Sequence, residues 1–384
     1  MPISRRNLLR RIGAGVAATA VAPSLVEGSP AEEPGERAMS VDASQLGRPI
    51  RLNRNENAYG PSRKTTATMR EALNGAHRYP DTERAALREK IARVHNVAPE
   101  QVVLACGVGE ILRMAVDAFT GPRKKLVEAL PTFELIGLHA KRAGSEVVDV
   151  PLTKDYSHDL DAMLARSEAA TGLVYICNPN NPTGTLTRRR QLETFALKLP
   201  ETTQVLIDEA YHHYVGKSSD YASFIDRPVD DGRVIVARTF STMYGLAGMR
   251  LGYAVASPQT ARLLDSHRLP EDLNVVAAKA AVTALDDIEH VRESNRRNAD
   301  DRQEFYNQAN ARMLRVIDSQ TNFVMLNTNR PAAVIVEHFK KNDILVAPSS
   351  ASFDMHIRVS LGTPAQMREF WRVWDLMPGH KMSM

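Results

Sequence analysis

From about Thr65 onward the chain alternates between stretches with apolar residues at helical spacing and short apolar runs. The runs are Val102–Ala105, Lys125–Glu128, Glu146–Asp149, Gly172–Ile176, Val205–Ile207 and Val234–Val236. Their centres are continuously apolar, the pattern of strands covered on both faces. With helical stretches between them, they predict an α/β fold whose mostly parallel sheet is sandwiched by helices. Toward the C-terminus the character changes. Long polar–apolar helical spacing from Asp286 to Arg312 precedes the runs Asn322–Leu326 and His356–Ser360. This predicts a smaller α+β domain over residues 281–384, packed on a large domain over residues 63–280. Ligands of such sheets sit beyond the carboxyl ends of the strands, so the informative residues should follow the apolar runs.

Charge changes the picture only at the start of the chain. The formal net charge is +4, and Arg5, Arg6, Arg10 and Arg11 account for all of it. A near-neutral remainder without a long basic run argues against nucleic acid as the main partner. No run reaches the roughly 18 apolar residues of a membrane span. Ser4-Arg5-Arg6-Asn7-Leu8-Leu9-Arg10, followed by the weakly apolar, Ala/Gly-rich stretch Ile12–Val26, resembles a twin-arginine export signal. Residues 1–27 are therefore expected to be a signal peptide and the protein periplasmic. Residues 28–62, which begin with a Pro- and Glu-rich stretch, are expected to be a linker and N-terminal arm. The two cysteines, Cys106 and Cys177, stand in no metal-site spacing and read as thiols buried in the core.

The segments after the runs carry the chemistry. Cys106-Gly107-Val108-Gly109-Glu110 opens a helix, where close backbone approach and free N–H groups suit an anion. Asn178-Pro179-Asn180-Asn181-Pro182-Thr183-Gly184 is a rigid turn presenting asparagine side chains. Val205–Ile207 delivers Asp208, a carboxylate that needs a cationic partner if buried. Arg238 to Tyr253 combines small and hydroxyl residues with Arg250, a composition that suits a phosphate.

In this order, the segments resemble the class I/II aminotransferases of fold type I, most closely histidinol-phosphate aminotransferase. The likeness runs from Asn53-Arg54-Asn55-Glu56-Asn57-Ala58-Tyr59-Gly60 through Arg358. It implies pyridoxal 5′-phosphate (or pyridoxamine 5′-phosphate) as cofactor and an amino acid, an amino-phosphate or a 2-oxo acid as substrate. By resemblance, Asp208 pairs with the pyridine nitrogen, Asn181 and Tyr211 with the phenolic oxygen, and Phe133 stacks on the ring. Val108, Gly109, Ser241 and Arg250 form the phosphate cup. Tyr79 reaches the phosphate of a neighbouring subunit, which implies a homodimer. Arg358 clamps the substrate carboxylate, with Asn322 and Tyr59 beside it.

Two departures stand out. Thr242 occupies the position where the family carries the lysine that bonds covalently to the cofactor and moves the substrate proton. A hydroxyl can do neither, so ordinary transamination is expected to be crippled. A lysine-independent cofactor enzyme and a non-catalytic binder therefore stay open as alternatives. His212, His213, Lys217 and Lys64 are the substitutes in sequence, the first three expected as surface-loop residues. The second departure is Ile344-Leu345-Val346-Ala347-Pro348, which lacks the arginine that the resemblance assigns to a substrate phosphate.

Overall fold

The computed structural model describes residues 49–228, 231–348 and 353–377. The export-signal reading, and residues 28–48 of the expected linker, lie outside them. The chain enters with β1 (Ile50–Leu52) and then lays down β2 (Val102–Ala105), β3 (Lys125–Leu130) and β4 (Val147–Pro151). There follow β5 (Thr171–Cys177), β6 (Gln204–Asp208), β7 (Val234–Thr239) and β8 (Gly252–Val255). The last four strands are β9 (Arg315–Ile317), β10 (Phe323–Asn327), β11 (Ile344–Pro348) and β12 (His356–Ser360).

A seven-stranded sheet runs in the order β2-β8-β7-β6-β5-β3-β4. Only β8 is antiparallel to its neighbours, so the sheet is mostly parallel, as the apolar runs predict. Alternate residues of each strand feed two separate cores, which is why the runs read as continuously apolar. Val102, Leu104, Val174, Ile176, Val205 and Ile207 face one core, closed by Leu87, Ile91, Leu192 and Phe195 from flanking helices. Val103, Ala105, Leu173, Tyr175, Cys177 and Leu206 face the other, against Ile111, Leu112 and Ala115 of the helix Val108–Phe119.

The smaller, five-stranded sheet has the order β1-β11-β12-β10-β9 and its own apolar core. β1 lies parallel to β11, pairing Ile50 with Ile344 and Leu52 with Val346. Ile50–Leu52, part of the expected linker and arm, is thus a sheet strand that fixes the direction in which Asn53–Asn57 leave it. The helical spacing expected from Asp286 to Arg312 is the single helix Ile288–Ala311, preceded by a second helix, Val275–Asp286. Cys177 is buried as expected, but Cys106 is exposed, because it follows the end of β2 in the turn before the next helix. Among the described residues no helix is long and apolar enough to cross a membrane.

One buried acid has no part in the candidate site. Glu128 on β3 lies opposite Asp149 of β4, and its Oε2 is buried without a hydrogen-bond partner. Room for its carboxyl comes from Gly137, where an added Cβ would lie 2.3 Å from Glu128 Oε1. Burial first, and Asp149 second, push Glu128 from 4.5 up to about 8. The folded state holds this proton more tightly than the unfolded chain, so the contribution to stability is complete below the unfolded value and lost as pH rises toward 8. Glu128→Gln should melt like wild type near pH 5 and above it near pH 8, by roughly 2 kcal/mol in urea unfolding. Parallel pH profiles would contradict this.

Candidate functional site

The carboxyl ends of β5 and β6 lie side by side in parallel register, Cys177 beside Asp208. Asp208 is 2% exposed. Its Oδ2 accepts from the Tyr175 hydroxyl at 3.0 Å and its Oδ1 from the Ala210 N–H at 3.0 Å. No cationic side chain pairs with it among the described residues. Burial pushes Asp208 up to about 6, held down by the Tyr175 hydroxyl and the Ala210 N–H, with Glu209 pushing the same way as burial.

Beyond β5, the turn folds by spending its own asparagines. Asn178 exchanges hydrogen bonds with the backbone of Thr187, and Asn180 donates to Pro131 O and Thr183 Oγ1. The Thr132 hydroxyl also donates to Asn180, which seats the Pro131–Phe133 segment against the turn. Asn181 is left over, and its Oδ1 accepts from Arg358 Nη1 at 2.7 Å. Arg358 sits on β12 of the smaller sheet, so this bond joins the two sheets at the site. Its Nη2 donates to Asn53 O at 3.0 Å, while Nε is buried without a partner. An unsatisfied guanidinium donor in a buried setting favours an anionic ligand.

The segment that β1 aims into the site closes the ring of contacts. Asn55, with φ 55° in the left-handed region asparagine tolerates, donates from Nδ2 to the Tyr211 hydroxyl at 3.0 Å. Its N–H donates to Ser360 Oγ, and Asn322 Nδ2 donates to its carbonyl at 2.9 Å. Asn322 Oδ1 is buried without a partner. Tyr59 shares a small crevice with Asn322, but its hydroxyl is committed to Asp301 Oδ2 at 2.7 Å.

At the other end, Val108 and Gly109 begin a helix that no side chain caps, a start that favours an anion. Gly107 precedes them at φ +81°, and a Cβ there would fall 2.4 Å from Arg250 Nη2. The guanidinium therefore lies against bare backbone at the helix start. Arg250 Nη1 also reaches the Ser241 hydroxyl at 3.5 Å, so these four residues line one cup. Ser241 borders a cleft of about 590 Å³ walled by Asn57, Gly245, Ser360 and Gln366, and no lysine lines it.

Residues 48–373 match the model of the family described as aminotransferase class I and II. The chain belongs to that family. It is 36% identical to the histidinol-phosphate aminotransferase of Akkermansia muciniphila over 83% of its own length and 86% of the relative's. The Bacillus subtilis histidinol-phosphate aminotransferase is 33% identical, with coverages of 88% and 94%. Among solved structures, the Sinorhizobium meliloti histidinol-phosphate aminotransferase in complex with pyridoxal-5′-phosphate superposes with a TM-score of 0.80. The identity there is 27%, over 89% of this chain and 99% of that one.

Pyridoxal phosphate is the cofactor of this aminotransferase family, and the residues present fit it. A buried carboxylate lacks a cation among the described residues, a helix start lies against an arginine and a hydroxyl, and Asn181 and Tyr211 follow the ends of β5 and β6. Phe133 is half-buried and packs with Val108 on the same core. Tyr79 is 71% exposed.

Thr242 is buried and its hydroxyl donates to Ala210 O at 2.8 Å, tying it to the backbone between Asp208 and Tyr211. The substitutes for a lysine lie elsewhere. His212 Nδ1 is 3.0 Å from the Tyr221 hydroxyl and His213 Nε2 is 3.2 Å from that of Tyr244. Both rings are half-buried rather than loop-exposed, and burial, then Arg238, keeps both neutral, His213 at about 3. Lys217 is exposed, and Lys64 lies 3.6 Å from Asp287.

Two features escaped the sequence. Tyr175 is one; the signal was a phenol in an otherwise aliphatic strand, where a buried hydroxyl requires a partner. The other is the ion pair between Glu209 and Arg238 at 2.8 Å, with side chains 1% and 3% exposed. Ser223 and the Phe224 N–H complete the pairing of Glu209, anchoring the strand end that carries Asp208. Removing one partner strands a buried charge. Arg238→Ala should lose roughly 3–5 kcal/mol in urea unfolding, and a loss below about 1 kcal/mol would mean the pair is not holding the strand end.

Proposed function

We propose that this aminotransferase binds pyridoxal or pyridoxamine 5′-phosphate without a covalent bond and takes an amino acid or 2-oxo acid as its second ligand. The observation that carries the reading is Asp208, a fully buried carboxylate with two donors and no cation. When bound, the cofactor supplies an electron sink for bonds at the substrate's α-carbon. Asp208 would hold the proton on the pyridine nitrogen, and Asn181 and Tyr211 would bond the phenolic oxygen. Phe133 would cover the ring, while Val108, Gly109, Ser241 and Arg250 would hold the phosphate. Arg358 would orient the α-carboxylate through its free Nε.

Thr242 decides what the site can do next. Its hydroxyl is committed to Ala210 O, and an alcohol is far too weak an acid and base to move the α-proton. Ordinary transamination is therefore crippled at this one position. A base role for His212 or His213 draws no support from rings bonded to Tyr221 and Tyr244. The Thr242 hydrogen bond favours a second reading as well, a binder of cofactor and amino acid without turnover.

Substrate choice rests on Ala347, which lies directly across from Arg358 in the β11–β12 register. Without an arginine in that run, Arg358 offers the only guanidinium of the pair, enough for one carboxylate. This argues against histidinol phosphate, although the relatives named for it are similar throughout. Exposed Tyr79 supports a homodimer in which it serves the partner's phosphate, and the Ser4–Arg10 motif supports export.

Thr242→Lys tests the reading. Incubated with pyridoxal phosphate and borohydride, the variant should retain the cofactor covalently on the peptide containing position 242, by mass spectrometry. Wild type should retain none. Covalent retention by wild type at another lysine would overturn the non-covalent reading.

A further inference from the structure

We propose that Tyr175 is a positioning residue that keeps Asp208 ionised and aimed for its cofactor. The inference rests on the cofactor reading above and adds a residue that does not itself touch the ligand. Its basis is the register of two parallel strands. Tyr175 pairs with Leu206 and Cys177 with Asp208, so the phenol stands on the same face as Asp208, one diagonal step behind it. The hydroxyl donates to Asp208 Oδ2 at 3.0 Å, and neither residue meets solvent.

The groups facing Asp208 make this bond decisive. Just past the end of β6, Glu209 adds negative charge, and its own cation, Arg238, is committed to it. From β5 come Tyr175 and the Cys177 thiol, whose Sγ approaches Pro179 O at 3.3 Å. Tyr211 lies beyond, bonded to Asn55 and held in its neutral phenol form by burial. Besides the Ala210 N–H, Tyr175 is therefore the one donor to this carboxylate among the described residues. Without it Asp208 would hold its own proton over part of the neutral range, and as a neutral acid could offer only its O–H rather than pair as an anion with a cation.

The test is pyridoxal phosphate affinity, by absorbance titration from about pH 5.5 to about pH 8.5, for wild type, Tyr175→Phe, Asp208→Asn and the double variant. Tyr175→Phe keeps the ring and its packing, and unchanged near-UV dichroism checks that the fold is intact. It should bind about threefold more weakly near pH 6.5 and close to tenfold more weakly near pH 5.5, with the deficit closing toward pH 8.5, so that the acid limb of the profile moves up by about one unit. In the Asp208→Asn background the same substitution should change nothing further. Wild-type affinity at every pH, or a deficit that is the same at every pH or persists in the double variant, would overturn the role of Tyr175 while leaving the cofactor reading intact. A wild type that binds neither pyridoxal nor pyridoxamine phosphate would overturn both.

Discussion

A carboxylate taken fully out of water must find compensation, and Asp208 finds only part of it within its own chain. Two hydrogen bonds offset desolvation without cancelling it, which is why the group is pushed upward in the absence of a cation. The surroundings are built to keep it in place all the same. The Glu209–Arg238 ion pair anchors the same strand end, Thr242 ties down the next turn, and Tyr175 reaches over from β5. So much structure around an incompletely paired charge makes physical sense when a ligand supplies the missing cation.

The second constraint is that the site belongs to two sheets. Arg358 of β12 bonds Asn181 directly and Asn53 O as well, while Asn322, just before β10, reaches Tyr211 through Asn55. That junction depends on β1, three residues whose pairing with β11 spans nearly the whole sequence. Any relative movement of the sheets would have to break the Arg358–Asn181 bond, so a carboxylate on Arg358 would act where the two bodies join.

The alternation of helical spacing with continuously apolar runs was enough to read the large sheet, because burial on both faces leaves a direct mark in composition. The strand-end rule then led to Asp208, Asn181 and the helix start at Val108. What stayed hidden depends on pairing between distant segments. A three-residue strand such as β1 carries no periodicity of its own, and β8 is short and runs against the rest. The fates of His213 and Tyr59 turned on partners distant in sequence, Tyr244 and Asp301, and that of His212 on a loop that brings Tyr221 back to it. Cys106 misled for a simpler reason, since it follows an apolar run without belonging to it. Thr242 was legible as a substitution, but its commitment to Ala210 O required coordinates.

The most direct test of the account is thermal unfolding of wild type and Asp208→Asn near pH 8, each with and without saturating pyridoxal phosphate. If Asp208 is a buried charge awaiting a cation, the asparagine variant without ligand melts at or above wild type. The ligand then raises the wild-type melting temperature by several degrees and the variant's by much less. A variant that melts well below wild type without ligand, or that gains as much from the ligand as wild type does, would contradict it.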